Sequence, residues 1–316
     1  MSPAVTGERA TMGRELPPMF LIRLLSFVAP AALFVWIVRQ LRIRRECRAQ
    51  VAFVRQTLAD SSVSETRRII VSLSTLPDRI ANLRPTLRCL LAQTRPPDEI
   101  VIAIPTYSLR EQQPYLIPAF LSELPTVRIL QAERDWGPAT KFIPVIRDEL
   151  ASDRPDTLIM VVDDDRIYPR DAVECYLHYS AQLPDAALCF RGAAMPETFD
   201  WHDARMIHGN RLRSPRAVAV ITGCGSYLVK PRFFDERLWD YSSAPPAAFY
   251  MDDIWISGWL DRLGVKKFVA PSSTRLRTVQ EQAGTMSLHD VPNGRQPNNN
   301  EVIRWFRESW NVFPTD

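Results

Sequence analysis

The stretch TLIMVVDDD, residues 157–165, decides the fold of this chain. Its first six residues are apolar or β-branched, which is typical of a buried strand in a parallel sheet. Three carboxylates, Asp163, Asp164 and Asp165, follow this strand directly. Adjacent carboxylates repel one another unless a cation neutralises them, and hard oxygen ligands suit Mg²⁺ or Mn²⁺. The segment therefore predicts a strand that ends at a cation site. The alternative is a solvated acidic turn.

Strand and helix patterns alternate on both sides of this stretch. Strands are predicted over residues 68–73, 99–104, 127–130, 157–162, 217–221, 226–229 and 266–270, and helices over residues 78–93, 140–150 and 252–263. Such alternation indicates an α/β fold with a parallel sheet and helices on both faces. Ligands of these sheets bind beyond the carboxyl ends of the strands, so the residues that follow the first, second and fourth strands are expected to line the site. Residues 278–300 are predicted to be loop.

The composition is that of a globular protein. Of the 316 residues, 46% are hydrophobic and 24% are charged, which excludes a disordered or collagen-like chain. A net charge of +3 is too small to indicate a nucleic-acid partner. The five cysteines are odd in number and contain no C-x-x-C pair, so neither a structural zinc site nor a disulfide framework is indicated. A reducing compartment is the favoured interpretation.

An apolar stretch near the N-terminus predicts a transmembrane helix over residues 19–39. Residues 24–38 carry no charge, and together with residues 19–22 they approach the length that a bilayer requires, interrupted only by Arg23. A cleaved signal peptide and a buried core helix are the alternatives, but no small-residue cleavage pattern is present. Arginines are concentrated on the C-terminal flank, so the positive-inside rule predicts a single-pass membrane protein whose large domain is cytoplasmic.

The predicted domain organisation follows from this helix. An N-terminal tail covers residues 1–18, the transmembrane helix covers residues 19–39, and a basic juxtamembrane linker covers residues 40–66. The linker ends in the polar segment DSSVSET. One α/β domain is predicted over residues 67–316.

A second acidic pair occurs in MDDIWIS, residues 251–257. Asp252 and Asp253 open a predicted helix, where capping and the helix dipole favour carboxylates. A carboxylate at this place is also a candidate general base toward a hydroxyl group. The two interpretations are compatible, with Asp252 as the cap and Asp253 as the base, or the reverse.

Several segments resemble glycosyltransferases with the GT-A fold, close to family 2. IIVSLSTLPDRI at residues 69–80 is similar to their first nucleotide-binding strand and loop, and VVDDDRIYP at residues 161–169 is similar to their metal-binding DxD segment. DWGPATK at residues 135–141 resembles the glycine-containing turn before that segment. GCGSYLV at residues 223–229 and the MDDIWIS segment resemble the acceptor-side glycine segment and the start of the catalytic helix.

The resemblance covers about residues 68–270, in the expected order. Two departures occur. The first loop lacks the Pro-x-Tyr-Asn form, and no Gln-x-x-Arg-Trp motif follows the acidic pair. The second departure argues against a processive synthase.

The resemblance implies roles for the matching residues. Asp163 is expected to approach the sugar nucleotide. Asp165, together with Asp163, is expected to hold a divalent ion, Mn²⁺ or Mg²⁺, that stabilises the departing nucleoside diphosphate. Asp253 is favoured as the general base, with Asp252 beside it. Lys141 is expected to bind phosphate or nucleotide at a helix start, and its alternative is a solvated lysine on the helix surface.

Other residues are expected in the nucleotide pocket, at the metal site or against a sugar or base. Ser72, Thr75 and Asp164 are expected in the nucleotide pocket, although Ser72 and Thr75 can equally be ordinary loop hydroxyls. His289, in the segment SLHD, resembles the C-terminal histidine that completes the metal site in some GT-A enzymes, and its alternative is a histidine without a ligand role. Three tryptophans could stack on a sugar or a base, or lie in the core instead: Trp136, Trp201 and Trp239.

These features predict a membrane-anchored, metal-dependent glycosyltransferase. It is expected to move a sugar from a nucleoside diphosphate sugar to a hydroxyl of a glycan, lipid or polysaccharide, with inversion. A sugar nucleotidyltransferase is one alternative, but that class usually has a glycine-rich basic loop after the first strand, and SLSTLPDR is not one. An inactive, membrane-bound carbohydrate-binding protein is another, and the intact Asp163, Asp165 and Asp253 argue against it.

Overall fold

The structure is a computed structural model that describes part of the chain. The backbone is described for residues 18–60, 66–274, 277–279 and 294–310, and the side chains for the same ranges from residue 32 onward, except residues 295 and 296. The chain divides into two compact units, Met1–Arg48 and Ala49–Asp316.

The first described element is helix α1, Pro18–Ala59, which begins in the first unit. Within that unit Arg42 and Glu46 form an exposed ion pair of 2.9 Å across one helical turn. Over the residues that the structure describes, no helix combines the length and the apolar character needed to cross a membrane. The structure thus gives no support to the transmembrane helix predicted over residues 19–39; the side chains of residues 19–31 lie outside the described part. Much of the predicted linker is helical.

The second unit contains the remaining elements. Its described helices are α2 Arg84–Leu91, α3 Ala119–Ser122, α4 Ile143–Ala151, α5 Ala172–Gln182, α6 Asp252–Arg262 and α7 Arg295–Trp305. Its described strands are β1 Ile69–Leu73, β2 Glu99–Ile104, β3 Tyr107–Ser108, β4 Gln113–Pro114, β5 Val127–Gln131, β6 Leu158–Val161, β7 Arg166–Ile167, β8 Ala186–Cys189, β9 Arg191–Ala194, β10 Arg205–His208, β11 Arg216–Ala217, β12 Val220–Ile221, β13 Tyr227–Val229, β14 Lys266–Val269 and β15 Arg277–Thr278.

Eight of these strands form one mixed sheet in the order β11-β14-β8-β13-β6-β1-β2-β5. Strands β5, β2, β1 and β6 are mutually parallel. Strand β13 lies antiparallel between β6 and β8, and β14 is parallel to β8. The predicted Rossmann-like α/β sheet is therefore confirmed.

Helices cover both faces of this sheet because the apolar residues of its strands alternate in direction. In β1, Ile70 packs into a cluster with residues of α4 and α6. Its neighbours Ile69 and Val71 pack into a second cluster with residues of α2 and α5. Since successive strand residues point to opposite faces, the continuous apolar runs seen in the sequence are what a sheet covered on both sides requires.

The chain order of the strands reverses at β1. From β1 the chain passes to β2 and β5 on one side, whereas β6 lies on the other side. A crevice opens at such a switch point, outside the carboxyl ends of the two strands. The acidic run that follows β6 lies at this place, as predicted.

Three predicted elements differ from the structure. The helix predicted over residues 78–93 is the shorter helix α2, Arg84–Leu91. The strand predicted over residues 217–221 is two strands, with β11 in the main sheet and β12 in a three-stranded sheet with β9 and β10. The loop predicted over residues 278–300 ends in helix α7, whose later residues Val302 and Ile303 are fully buried. The first residues of α7 are polar and carry no helical apolar pattern, so burial of its second half stabilises the helix.

The end of α1 packs within the second unit. The side chain of Gln50 is buried and its Nε2 donates hydrogen bonds of 3.0 Å to the carbonyl oxygens of Leu212 and Ser272. One turn later Val54 is 1% exposed and belongs to the second apolar cluster. Residues 49–59 are therefore part of the folded second unit.

Candidate active site

A cleft of about 240 Å³ lies at the switch point. One side is formed by the loop after β1, the acidic run after β6 and Arg166. The other side is formed by the turn at Trp201, the segment before α6, the start of α6 and one residue of α7. Lys141 lies between the two sides. The structure thus brings together most of the residues predicted for the site.

The three adjacent aspartates have different surroundings. Asp163 and Asp165 are about a quarter exposed, and Asp164 is buried. The Oδ1 atom of Asp163 lies 2.8 Å from Nζ of Lys141, and Oδ1 of Asp165 lies 3.2 Å from Nε of Arg166. Burial, together with the charge of Asp163, raises the pKa of Asp165. This repulsion is what a bound cation would relieve.

Asp164 fixes the loop after β1. Its Oδ2 accepts a hydrogen bond of 2.6 Å from the hydroxyl of Thr75, its Oδ1 lies 3.4 Å from Arg79, and its main-chain carbonyl accepts from the hydroxyl of Thr86. Burial raises the pKa of Asp164 to about 6, although Arg79 acts in the opposite direction. Asp164 and Thr75 both border the cleft, and their mutual bond sets the position of the loop that lines it.

Lys141 bridges the two sides of the cleft. Its Nζ lies 2.8 Å from Asp163 and 2.9 Å from Oδ2 of Asp252, and its side chain is 8% exposed. Burial by itself would lower the pKa of Lys141, but the charges of Asp163 and Asp252 outweigh it and raise the pKa well above its ordinary value. The alternative of a solvated surface lysine is wrong. Lys141 closes a short 3₁₀ turn, Gly137–Lys141, before α4.

Asp252 and Asp253 lie in the first turn of α6, and neither is its cap. The residue before the helix is Met251, which makes no capping bond through its side chain. Asp252 pairs with Lys141, and Oδ1 of Asp253 accepts a hydrogen bond of 2.7 Å from the main-chain N–H of Gly223. The prediction that one of the two aspartates caps the helix is therefore wrong.

The environment of Asp253 raises the pKa of its carboxyl toward neutrality. Burial and the charge of Asp252 raise the pKa of Asp253 to about 7, while Lys141 acts against them. A carboxylate with a pKa close to the working pH is suited to accept a proton. This is the property expected of the general base.

Gly223 makes the close packing of this centre possible. A Cβ atom at position 223 would lie 2.5 Å from Nζ of Lys141 and 3.1 Å from Oδ1 of Asp253. Real Cβ contacts are not that short, so a side chain here would displace the ammonium or the carboxylate. The glycine segment at residues 223–229, which the resemblance places on the acceptor side, thus begins with a residue close to both charged groups.

Other predicted residues have different places. Ser72 is fully buried in β1 and does not line the cleft; its hydroxyl donates to the carbonyl of Lys141 at 2.6 Å. Of the three tryptophans, Trp201 lines the cleft, whereas Trp136 is buried and contacts Tyr241. Trp239 packs beside Arg147 outside the cleft. His289 lies outside the described residues.

Sequence reasoning missed several residues that line the cleft. They are Arg79, Arg110, Tyr115, Arg166, Cys224, Tyr250 and Asn299. Arg79 and Arg166 lie inside the quoted motifs IIVSLSTLPDRI and VVDDDRIYP, and their charge could have suggested a contact with phosphate. Asn299 had no such signal, because it lies in a segment that was predicted to be loop.

Two of the strand-end carboxylates fit a divalent metal. No group of three or more His, Cys, Asp or Glu side chains is arranged to hold a metal among the residues that the structure describes. Mg²⁺ commonly uses only one or two carboxylates and takes the remaining ligands from substrate phosphates and water. Asp163 and Asp165, partly exposed and mutually repelling, fit that smaller set. Asp164 does not, because its side chain bonds Thr75.

Comparison with known proteins gives no family. No protein-family model matches the chain, and no curated protein matches it. Among solved structures, the chain is similar to 4-diphosphocytidyl-2C-methyl-D-erythritol synthase, with 12% sequence identity, a TM-score of 0.41 and coverage of 69% of this chain and 96% of that chain. At that TM-score the likeness carries no conclusion about activity.

Proposed function

We propose that this protein is a metal-dependent glycosyltransferase with a GT-A-type domain, which transfers a sugar from a nucleoside diphosphate sugar to a hydroxyl acceptor. One observation carries the proposal. The strand-end carboxylates and the candidate base Asp253 line a single cleft at the switch point of the sheet, and Lys141 joins Asp163 on one side to Asp252 on the other. A reaction between two bound substrates needs such a two-sided site.

The charge distribution supports a diphosphate donor on the sheet side. Arg79, Arg110 and Arg166 line the cleft, and Arg79 and Arg166 contact Asp164 and Asp165 on the sheet side. Guanidinium groups bind phosphate oxygens through charge-assisted hydrogen bonds. A divalent ion held by Asp163 and Asp165 would supply Lewis-acid stabilisation of the phosphate charge.

Asp253 would act on the acceptor. Its carboxylate takes the proton of the acceptor hydroxyl while that oxygen bonds the anomeric carbon, and the bond from this carbon to the diphosphate oxygen breaks. The nucleoside diphosphate leaves with the electron pair of the broken bond. Because the attacking oxygen and the leaving diphosphate lie on opposite sides of the carbon, the proposal includes inversion. Lys141 keeps Asp252 paired beside the base. The positive charge of Lys141 also opposes the rise in the pKa of Asp253.

The test is a two-product assay on the purified full chain. A panel of nucleoside diphosphate sugars is incubated with Mn²⁺ or Mg²⁺, with and without a chelator, and release of nucleoside diphosphate is measured. A parallel reaction with nucleoside triphosphates and sugar 1-phosphates measures pyrophosphate. Metal-dependent release of nucleoside diphosphate that is lost in Asp253→Asn supports the proposal. Release of pyrophosphate instead would identify a sugar nucleotidyltransferase and refute it.

A further inference from the structure

The wall of the cleft beside α6 contains a buried amide without a partner. Asn299 is 3% exposed and lines the cleft. Within the described part of the chain its Nδ2 has no hydrogen-bond partner. A buried polar group without a partner costs free energy, so a ligand that accepts a hydrogen bond from this amide would remove that cost.

Aromatic side chains line the same cleft as this amide. They belong to Trp201, Phe249 and Tyr250, and only Met251 separates Tyr250 from the acidic pair of α6. Helix α7 packs against the turn Trp201–Asp203, against the turn Pro246–Phe249 and against α6. Asn299 therefore belongs to a wall that adjoins Asp253. We name it the aromatic wall: Trp201, Phe249, Tyr250, Met251 and Asn299.

A hydrogen-bonded connection holds the aromatic wall together. Oδ1 of Asn300 accepts a hydrogen bond of 2.8 Å from the main-chain N–H of Trp201. Nδ2 of Asn300 donates one of 3.1 Å to Asp200. These bonds fix the first half of α7 to the turn that carries Trp201, so the neighbouring Asn299 is held beside the same turn.

The aromatic wall carries no ionised side chain, in contrast to the sheet side with Arg79 and Arg166. A phosphorylated acceptor would gain nothing from such a wall, because no cation on it faces the phosphate. A neutral sugar fits it, since sugar hydroxyls accept hydrogen bonds from an amide and the apolar face of the ring packs on aromatic side chains.

We infer that the aromatic wall is an acceptor subsite for an uncharged sugar, in which Asn299 donates to a sugar hydroxyl and Trp201 packs against the ring. This inference rests on the proposed function, since it names the acceptor class of the same site. Among the possible hydroxyl acceptors, the inference names neutral glycans.

Saturation-transfer NMR on the full chain tests the inference without an activity readout. The probes are methyl β-glucoside, methyl β-galactoside, methyl α-mannoside and methyl N-acetyl-β-glucosaminide, with citronellyl phosphate as the anionic comparison. We expect at least one neutral glycoside to bind. The Asn299→Leu substitution should weaken that binding by roughly three- to tenfold, the usual worth of one hydrogen bond.

Matched variants separate binding from folding. Asn298→Leu changes an equally buried asparagine of the same helix that does not line the cleft, and it should retain glycoside binding. If Asn299→Leu does not fold, the variants Trp201→Ala and Trp201→Phe are compared in its place. Only the alanine variant should lose glycoside binding. Equal glycoside binding by the wild type, Asn299→Leu and Trp201→Ala would overturn the inference. Binding of citronellyl phosphate alone, or of no probe, would also overturn it.

A second binding measurement distinguishes failure of this inference from failure of the proposed function. Calorimetric titration with nucleoside diphosphates and Mn²⁺ reports on the sheet side of the cleft. Glycoside binding that depends on Asn299, without any nucleotide binding, would refute the proposed function and leave a sugar-binding wall. Nucleotide binding without glycoside binding would refute the acceptor subsite alone.

Discussion

The ammonium of Lys141 lies 2.9 Å from the carboxylate of Asp252, and both side chains are less than a tenth exposed. This ion pair belongs to a bridge across the cleft, because Lys141 also contacts Asp163 on the sheet side, whereas Asp252 opens α6. It places one negative charge beside Asp253 and one positive charge close to it. The properties of Asp253 therefore depend on two residues that need not touch a substrate.

Asp253→Asn is expected to reduce transfer by roughly 10²–10⁴-fold, the usual worth of a general base. Asparagine keeps the size of the side chain and an oxygen for the N–H of Gly223, but it does not accept the proton. Donor affinity, measured by calorimetry, should stay near the wild-type value. The matched variant Asp252→Asn should retain most of the transfer rate. If Asp252→Asn is inactive and Asp253→Asn is active, the two roles are exchanged.

The transfer rate should depend on pH through Asp253. The base is mostly ionised above its pKa of about 7 and mostly protonated below it. The value of kcat/KM should therefore rise about tenfold per pH unit well below the pKa and level off above it. For stability the sign is opposite: the folded state holds the proton more tightly than the unfolded chain, so the free energy of unfolding falls as pH rises from about 4 to about 7. A flat profile from pH 5 to 8 would contradict the assignment.

Lys141→Met is expected to remove the bridge across the cleft. Loss of one partner from a buried ion pair costs roughly 3–5 kcal/mol of stability, which urea unfolding measures. Because the charge of Lys141 lowers the pKa of Asp253, the acid limb of the rate profile should move to higher pH. Asp252→Asn should move that limb to lower pH. Lys230→Met, outside the cleft, is the control and should leave the limb unchanged.

Asp165→Asn is expected to abolish metal-dependent turnover and to leave the fold intact. The substitution removes an anionic ligand and also relieves repulsion with Asp163, so the Tm of the metal-free protein should not fall. Mn²⁺ binding is measured by electron paramagnetic resonance after chelator treatment. Asp164→Ala is the comparison: it should lower the Tm, because the Thr75 hydroxyl and Arg79 lose the side chain that holds the loop after β1. Unchanged Mn²⁺ binding by Asp165→Asn would show that the ligand lies elsewhere.

A chain that starts at Ala49 should be more stable than one that starts at Thr66. The shorter fragment loses Val54, whose burial contributes roughly 1.5–3 kcal/mol, and the hydrogen bonds of Gln50, about 1 kcal/mol each. Urea unfolding of the two fragments measures the difference. Equal midpoints would mean that residues 49–59 contribute nothing to the second unit.

The sheet was predictable from the sequence because its strands are buried on both faces. Residues 99–104 form β2 with the predicted bounds, since a continuous apolar run between prolines has few other interpretations. The acidic run after β6 was found for the same reason: a change from apolar to charged residues marks the end of a buried strand.

The pairing inside the site could not be read from local patterns. Lys141 was expected to bind phosphate, but it pairs with carboxylates that lie far from it in the chain, and those contacts depend on the folded sheet. Asn299 was missed because the first half of α7 has no apolar period. Its helical conformation depends on tertiary burial of Val302 and Phe306, which overrides local propensity.

Strand β13 has a consequence for the order of folding. It lies between β6 and β8 and pairs with both, so it joins the parallel strands β6, β1, β2 and β5 to the part of the sheet that contains β8, β14 and β11. Contacts between segments that are far apart in the sequence form slowly during folding. The turn Gly223–Gly225 lies just before β13, so the insertion of β13 also places Gly223 against Lys141 and Asp253. Joining of the two parts of the sheet and assembly of the charged centre are therefore coupled, and a partly folded chain without β13 in place would lack this centre.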